Sequence, residues 1–119
     1  MSLMPVVVSI DCADNTATLV LNVSPTLDYF PGHFPGFPIL PGVVQVDWAI
    51  RFAREHLGIP ATGFSALRGL KFSAPILPGA SLKLQLSWHP EKQRLDFSYN
   101  GERRPVSSGQ VVFAAEAAA

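Results

Sequence analysis

Gly32-His33-Phe34-Pro35-Gly36-Phe37-Pro38-Ile39-Leu40-Pro41-Gly42, running directly into Val43 to Leu57, divides this chain into two patterns. Proline fixes φ and glycine admits conformations closed to other residues, so a loop rich in both is stiff by construction. It holds one histidine, His33. Val43, Val46, Asp47, Ile50, Ala53, Arg54 and Leu57 then follow i, i+3, i+4 spacing, which predicts a helix. Trp48 and Phe52 lie off that stripe, so the first turns are apolar nearly all round and are expected to be buried. Gly58 and Pro60 close the helix. A carboxylate on an apolar helix face, fed by a rigid loop with a histidine, suits acid–base chemistry at a buried site.

Strand patterns surround that helix. Val6, Val8 and Ile10 alternate, as do Ala17, Leu19, Leu21 and Val23, before Pro25 stops the run. After the helix come Phe64 to Phe72, closed by Pro75 and Pro78, then Leu82, Leu84, Leu86 and Trp88 in strict alternation. Leu95, Phe97 and Tyr99 form a further strand, and Asn100-Gly101 signals a hairpin into a last strand of roughly 104–114. Two strands, one long helix and four strands predict an α+β domain whose antiparallel sheet wraps a single helix. Pro-Ile-Leu-Pro-Gly occurs at 38–42 and again at 75–79, but the flanks differ, so no duplication is read from it.

Composition bounds the function. A chain of 119 residues, 48% hydrophobic and formally uncharged, reads as one globular domain of residues 4–119 rather than a disordered or nucleic-acid-coating protein. Met1-Ser2-Leu3 reads as an expression scar. The single Cys12 excludes an internal disulfide and fits a reducing, cytoplasmic compartment. No apolar run is long enough to span a bilayer. Three scattered histidines and one cysteine do not make a metal site. Residues His56 and His89 fall near a helix end and a turn, where a solvated role is expected.

His33-Phe34-Pro35-Gly36, then Pro38 to Val43, then an acid fourteen positions after the histidine, resembles the signature of the bacterial (R)-3-hydroxyacyl-acyl-carrier-protein dehydratases. Leu70-Lys71-Phe72, Pro75-Ile76 and Pro78-Gly79 resemble the strand that follows the helix in that family. The resemblance covers about residues 29–86. It implies a hotdog fold, a homodimer or a trimer of dimers, and dehydration of 3-hydroxyacyl thioesters to trans-2-enoyl thioesters. It further implies no bound cofactor, the substrate being carried on the phosphopantetheine of acyl carrier protein. Family members carry Glu or Asp at the acid, and Asp47 matches the second branch.

Such a dehydration needs a base at C2, an acid for the leaving hydroxyl and a donor to the thioester oxygen. His33 suits the first role because imidazole titrates near neutrality. Asp47 suits the second if desolvation on the apolar helix face favours its protonated form. Gly42 stands at the helix N-terminus, where backbone N–H groups lack intrahelical acceptors, and a glycine there admits a close approach by substrate. Phe37 and Phe72 are expected in the core or in the wall of the substrate tunnel. The alternative for Asp47 is a buried acid satisfied by amides or by an arginine. Arg51 stands where the family usually has Gln, and an Arg51–Asp47 pairing would weaken Asp47 as an acid.

Arg51, Arg54, Arg68 and Lys71 crowd the second half of the helix and the next strand. Each alone reads as solvated charge. Together they are the candidate docking patch for an acidic partner, and the resemblance implies that partner is acyl carrier protein. Three functions stand open: a carrier-protein-dependent dehydratase in fatty-acid or polyene-type synthesis, a hotdog thioesterase, and a non-catalytic hotdog that binds an acyl chain or a partner. His33 counts against the thioesterase, which generally lacks a His-Phe-Pro-Gly loop.

Overall fold

A computed structural model describes residues 4–24, 40–59 and 64–113. The elements are β1 (Val6–Ala13), β2 (Thr16–Asn22), α1 (Gly42–Leu57), β3 (Phe64–Phe72), β4 (Ser81–His89), β5 (Arg94–Asn100) and β6 (Pro105–Phe113), with a single 3₁₀ turn at Pro90–Lys92. The six strands form one antiparallel sheet in the order β1-β2-β4-β5-β6-β3. The expected order of elements is therefore the observed one.

Alternation decides which sheet face meets the helix. Leu19, Leu21, Leu84, Leu86, Leu95, Phe97 and Tyr99 are buried together with Trp48, Ala49, Phe52 and Ala53 of α1. The helix packs on β2, β4 and β5, the middle of the sheet. Burial of side chains as large as Trp48 and Phe52 is what fixes it there, and truncating either to alanine would cost about 3–5 kcal/mol.

The helix begins at Gly42, one residue earlier than its apolar stripe suggests. Pro41, extended at φ −61° and ψ 146°, is the N-cap, and its carbonyl accepts from the amides of Val44 (3.1 Å) and Gln45 (3.3 Å). Gly58 ends the helix in the left-handed region at φ 65°, a conformation that costs a glycine nothing. The last strand starts at Pro105 rather than at residue 104, because the amide of Gly101 donates to the carbonyl of Arg104 (2.9 Å) and keeps residues 101–104 in the turn.

The edge strand β3 carries a bulge. Arg68 pairs with Gln110 and Lys71 with Ser108, so Gly69 and Leu70 together oppose Gly109. Gly69 takes φ 58° there. In an unbroken strand Leu67 and Phe72, five residues apart, would face opposite ways. The bulge reverses the phase, so Leu67 lies opposite buried Val111 and Phe72 opposite buried Ser107. Both face the helix side of the sheet.

Candidate functional site

Between α1 and β3 lies a groove of about 410 Å³ lined by Gly42, Val43, Val46, Asp47, Ile50, Leu67, Leu70 and Phe72. Asp47 is its one charged lining residue. The rest of the lining is apolar, and much of it is open: Val43 is 77% exposed and Phe72 50%. A helix stripe and a strand edge left this bare form a face that a second polypeptide would cover.

Asp47 projects from the helix with Oδ2 accepting from Nε of Arg51 at 2.8 Å. Its side chain is 46% exposed in the single chain. The desolvated carboxyl expected from the apolar stripe is thus not what one chain presents, since the groove that Asp47 lines stands open to solvent. Of the two alternatives left by the sequence, pairing with Arg51 is the one observed. Oδ1 has no hydrogen-bond partner among the described residues.

Gly42 takes the first position of α1, and no acceptor for its amide is found among the described residues. Its missing side chain leaves room for the Phe72 ring: a β-carbon on residue 42 would stand 2.8 Å from Cζ and 2.9 Å from Cε1. The close approach read from the sequence is made within the chain by an aromatic ring. Gly109 performs the same service for Leu70, whose Cδ2 would be 2.5 Å from an added β-carbon. The structure thus brings together Asp47, Gly42 and Phe72. His33 and Phe37 lie outside the described residues.

The four cations divide between two faces. Arg51 and Arg54 stand on α1, both exposed. Arg68 and Lys71 pair with Gln110 and Ser108, which alternate with the buried residues of β6, so both point to the outer face of the sheet. They do not form one continuous patch with the helix pair, because the period-two alternation of β3 sends them away from the helix.

A polar network escaped the sequence reading. Ser107 Oγ donates to Gln45 Oε1 (2.6 Å), Gln45 Nε2 donates to the Leu40 carbonyl (3.4 Å), and Tyr99 Oη donates to the Gln45 carbonyl (2.7 Å). All three side chains are buried. Burial, and the nearby charge of Asp47, push the Tyr99 phenol well above its ordinary value, so it stays a neutral donor. Gln45 at the i−2 position from Asp47, on the wrong side of the helix for solvent, was the available signal. On the opposite face of the sheet His89 Nε2 lies 3.0 Å from Asp96 Oδ2, and Arg94 Nε donates to Asp96 Oδ1 at 2.8 Å.

One long helix wrapped by a six-stranded antiparallel sheet, with an acid on the helix and a groove at the β3 edge, defines a hotdog-fold protein. Residues 9–110 match the ApeI-like family, described as ApeI dehydratase, and the chain belongs to it. A subunit of the dehydratase heterocomplex ApeI:P from Xenorhabdus doucetiae superimposes with a TM-score of 0.87 at 35% identity, covering 94% of this chain and 99% of that one. A protein of Erwinia carotovora subsp. atroseptica gives 0.78 at 40% identity, covering 95% and 98%. The 3-hydroxyacyl-[acyl-carrier-protein] dehydratase FabZ of Novosphingobium aromaticivorans is 35% identical over 69% of this chain and 62% of its own length. This chain spans only about three fifths of the first curated dehydratases it matches, 62% and 60%.

Proposed function

We propose that this chain dehydrates 3-hydroxyacyl thioesters to trans-2-enoyl thioesters, the substrate being delivered on acyl carrier protein. The observation that carries the reading is Asp47, the one charged side chain lining an apolar groove that runs to the N-terminus of α1. An acyl chain fits such a lining, and a polar head placed beside Asp47 reaches the amide of Gly42.

His33 removes the C2 proton while the Gly42 amide polarises the thioester carbonyl. Asp47 must carry its proton when the substrate binds; it delivers that proton to the C3 hydroxyl, the C3–O bond breaks and water leaves. The pairing with Arg51 opposes the protonated form, so the step is assigned to a site closed by a second subunit, where the carboxyl is desolvated. The proton held by His33 then returns to Asp47, so the step is balanced and no further reagent is needed. Arg51 holds Oδ2 and leaves Oδ1 for the hydroxyl. Phe72, which lines the groove, is a wall of the acyl path, and Phe37 is assigned the same role from the sequence alone.

The exposed apolar residues Val43, Leu67, Leu70 and Phe72 support a site completed by a second hotdog subunit. In a homodimer His33 of one chain faces Asp47 of the other. The likeness to a subunit of a heterocomplex favours a second reading, in which the partner on this face is a different chain.

Incubation with a 3-hydroxyacyl thioester, read as enoyl absorbance, tests the reading. Enoyl product supports it. Release of free thiol instead would identify a thioesterase, and binding without turnover a non-catalytic acyl binder.

A further inference from the structure

Gln45 and Ser107 are both buried, each 3% exposed, and they are bonded to one another. A buried amide or hydroxyl is costly unless its partners are in place, whereas two apolar groups of the same shape would fill the space at little penalty. The polar pair is therefore not what the core requires for its packing. It adds direction, since hydrogen bonds fix an angle where dispersion contacts tolerate a range.

That direction bears on the helix. Tyr99 on β5 holds the carbonyl of residue 45, Ser107 on β6 holds its side chain, and the same side chain reaches Leu40, which directly follows residues 25–39. Leu40 is in turn tied through its amide to the carbonyl of Ile76 (2.9 Å). One residue thus joins the exit of the His33 segment, the first turns of α1 and two strands. Asp47 follows two positions later, roughly 200° around the helix at 100° per residue. With Gln45 locked into the sheet, Asp47 must point away from it, into the groove.

We infer that Gln45 is a positioning residue: held by Ser107 and Tyr99, it sets the rotation of α1 and so the aim of Asp47 into the groove. The inference rests on the dehydratase reading for its kinetic consequence but not for its geometry.

The test compares wild type with Gln45→Met/Ser107→Ala, an apolar replacement of the pair, and with Ser107→Thr, which keeps the hydroxyl. The double variant is expected to retain a cooperative thermal transition and KM within about twofold while kcat falls roughly ten- to a hundredfold, the scale of a misplaced catalytic group. Ser107→Thr is expected to keep kcat. The ¹³C signal of the Asp47 carboxyl, assigned by its absence in Asp47→Asn, reports its aim without turnover and is expected to move in the double variant only. Unchanged kcat and an unmoved Asp47 signal overturn the inference. If wild type shows no turnover, the dehydratase reading fails and the Asp47 signal alone decides. If the double variant does not fold, Tyr99→Phe takes its place: a lowered kcat at constant KM, or a moved signal, supports the inference, and neither overturns it.

Discussion

The ring of Phe72, at the end of β3, lies against Gly42, at the start of α1, so closely that a single added carbon on residue 42 would stand 2.8 Å from Cζ. The two residues come from different elements, α1 and β3, and both line the groove. Phe72 is half exposed, so its ring can swing aside.

Gly42→Ala is therefore expected to fold with its stability nearly unchanged, because a better helix former offsets the displaced ring. In a Phe72→Ala background the same change meets no ring and is expected to stabilise by up to ~0.5–1 kcal/mol. A double-mutant cycle from denaturant midpoints measures the coupling. Strictly additive effects would show that the contact carries no energy.

Asp47→Asn is expected to reduce dehydration severely while leaving the thermal midpoint close to wild type. The carboxylate is an exposed i,i+4 partner of Arg51, and such pairs contribute only ~0.3–0.5 kcal/mol. His33→Ala should abolish turnover in the same assay. A variant of either residue that keeps wild-type turnover would move its role elsewhere.

Alkaline pH should destabilise the protein through Tyr99. Its phenol is raised in the folded state by burial first and by Asp47 second, while an unfolded tyrosine titrates near ~10. The folded chain then binds more protons above that pH, so the contribution is complete below about pH 10 and is lost as pH rises beyond it. Tyr99→Phe is expected to flatten this loss in a series of thermal midpoints across pH 9–11. Parallel curves for the two proteins would refute it.

Reversing charge at Arg68 and Lys71 together is expected to raise KM for carrier-protein substrates and to spare short thioester mimics, with an effect that shrinks as salt is added. Because these two residues face away from α1, a matching reversal at Arg54 should act independently of them. Equal losses on both substrate types would exclude the outer face of β3 as a docking surface.

If the site is shared between two copies, inactive His33→Ala and inactive Asp47→Ala proteins refolded together should recover activity. One site of each hybrid then combines the intact histidine of one chain with the intact acid of the other. No recovery in hybrids verified by mass would sink the homodimeric site and point to a site built within a single chain.

The helix and the strands were legible from residues 6 to 113 because local periodicity reports which faces are buried: three to four for α1, two for β2, β4 and β5. The loop signature and the helix position of Asp47 carried the family resemblance as well, since residue types at fixed spacing are a local property. What the tertiary structure alone decided depends on pairing between distant segments. The bulge at Gly69 and Leu70 turns Phe72 to the side of Leu67, which no count along β3 could show, because an extra residue is defined only against its partner strand β6. The same pairing sends Arg68 and Lys71 to the outer face and breaks the cluster that their closeness in sequence suggested. Gln45, Tyr99 and Ser107 are separated by 54 and 62 residues at their bonds, so only the folded sheet brings them to one point beneath Asp47.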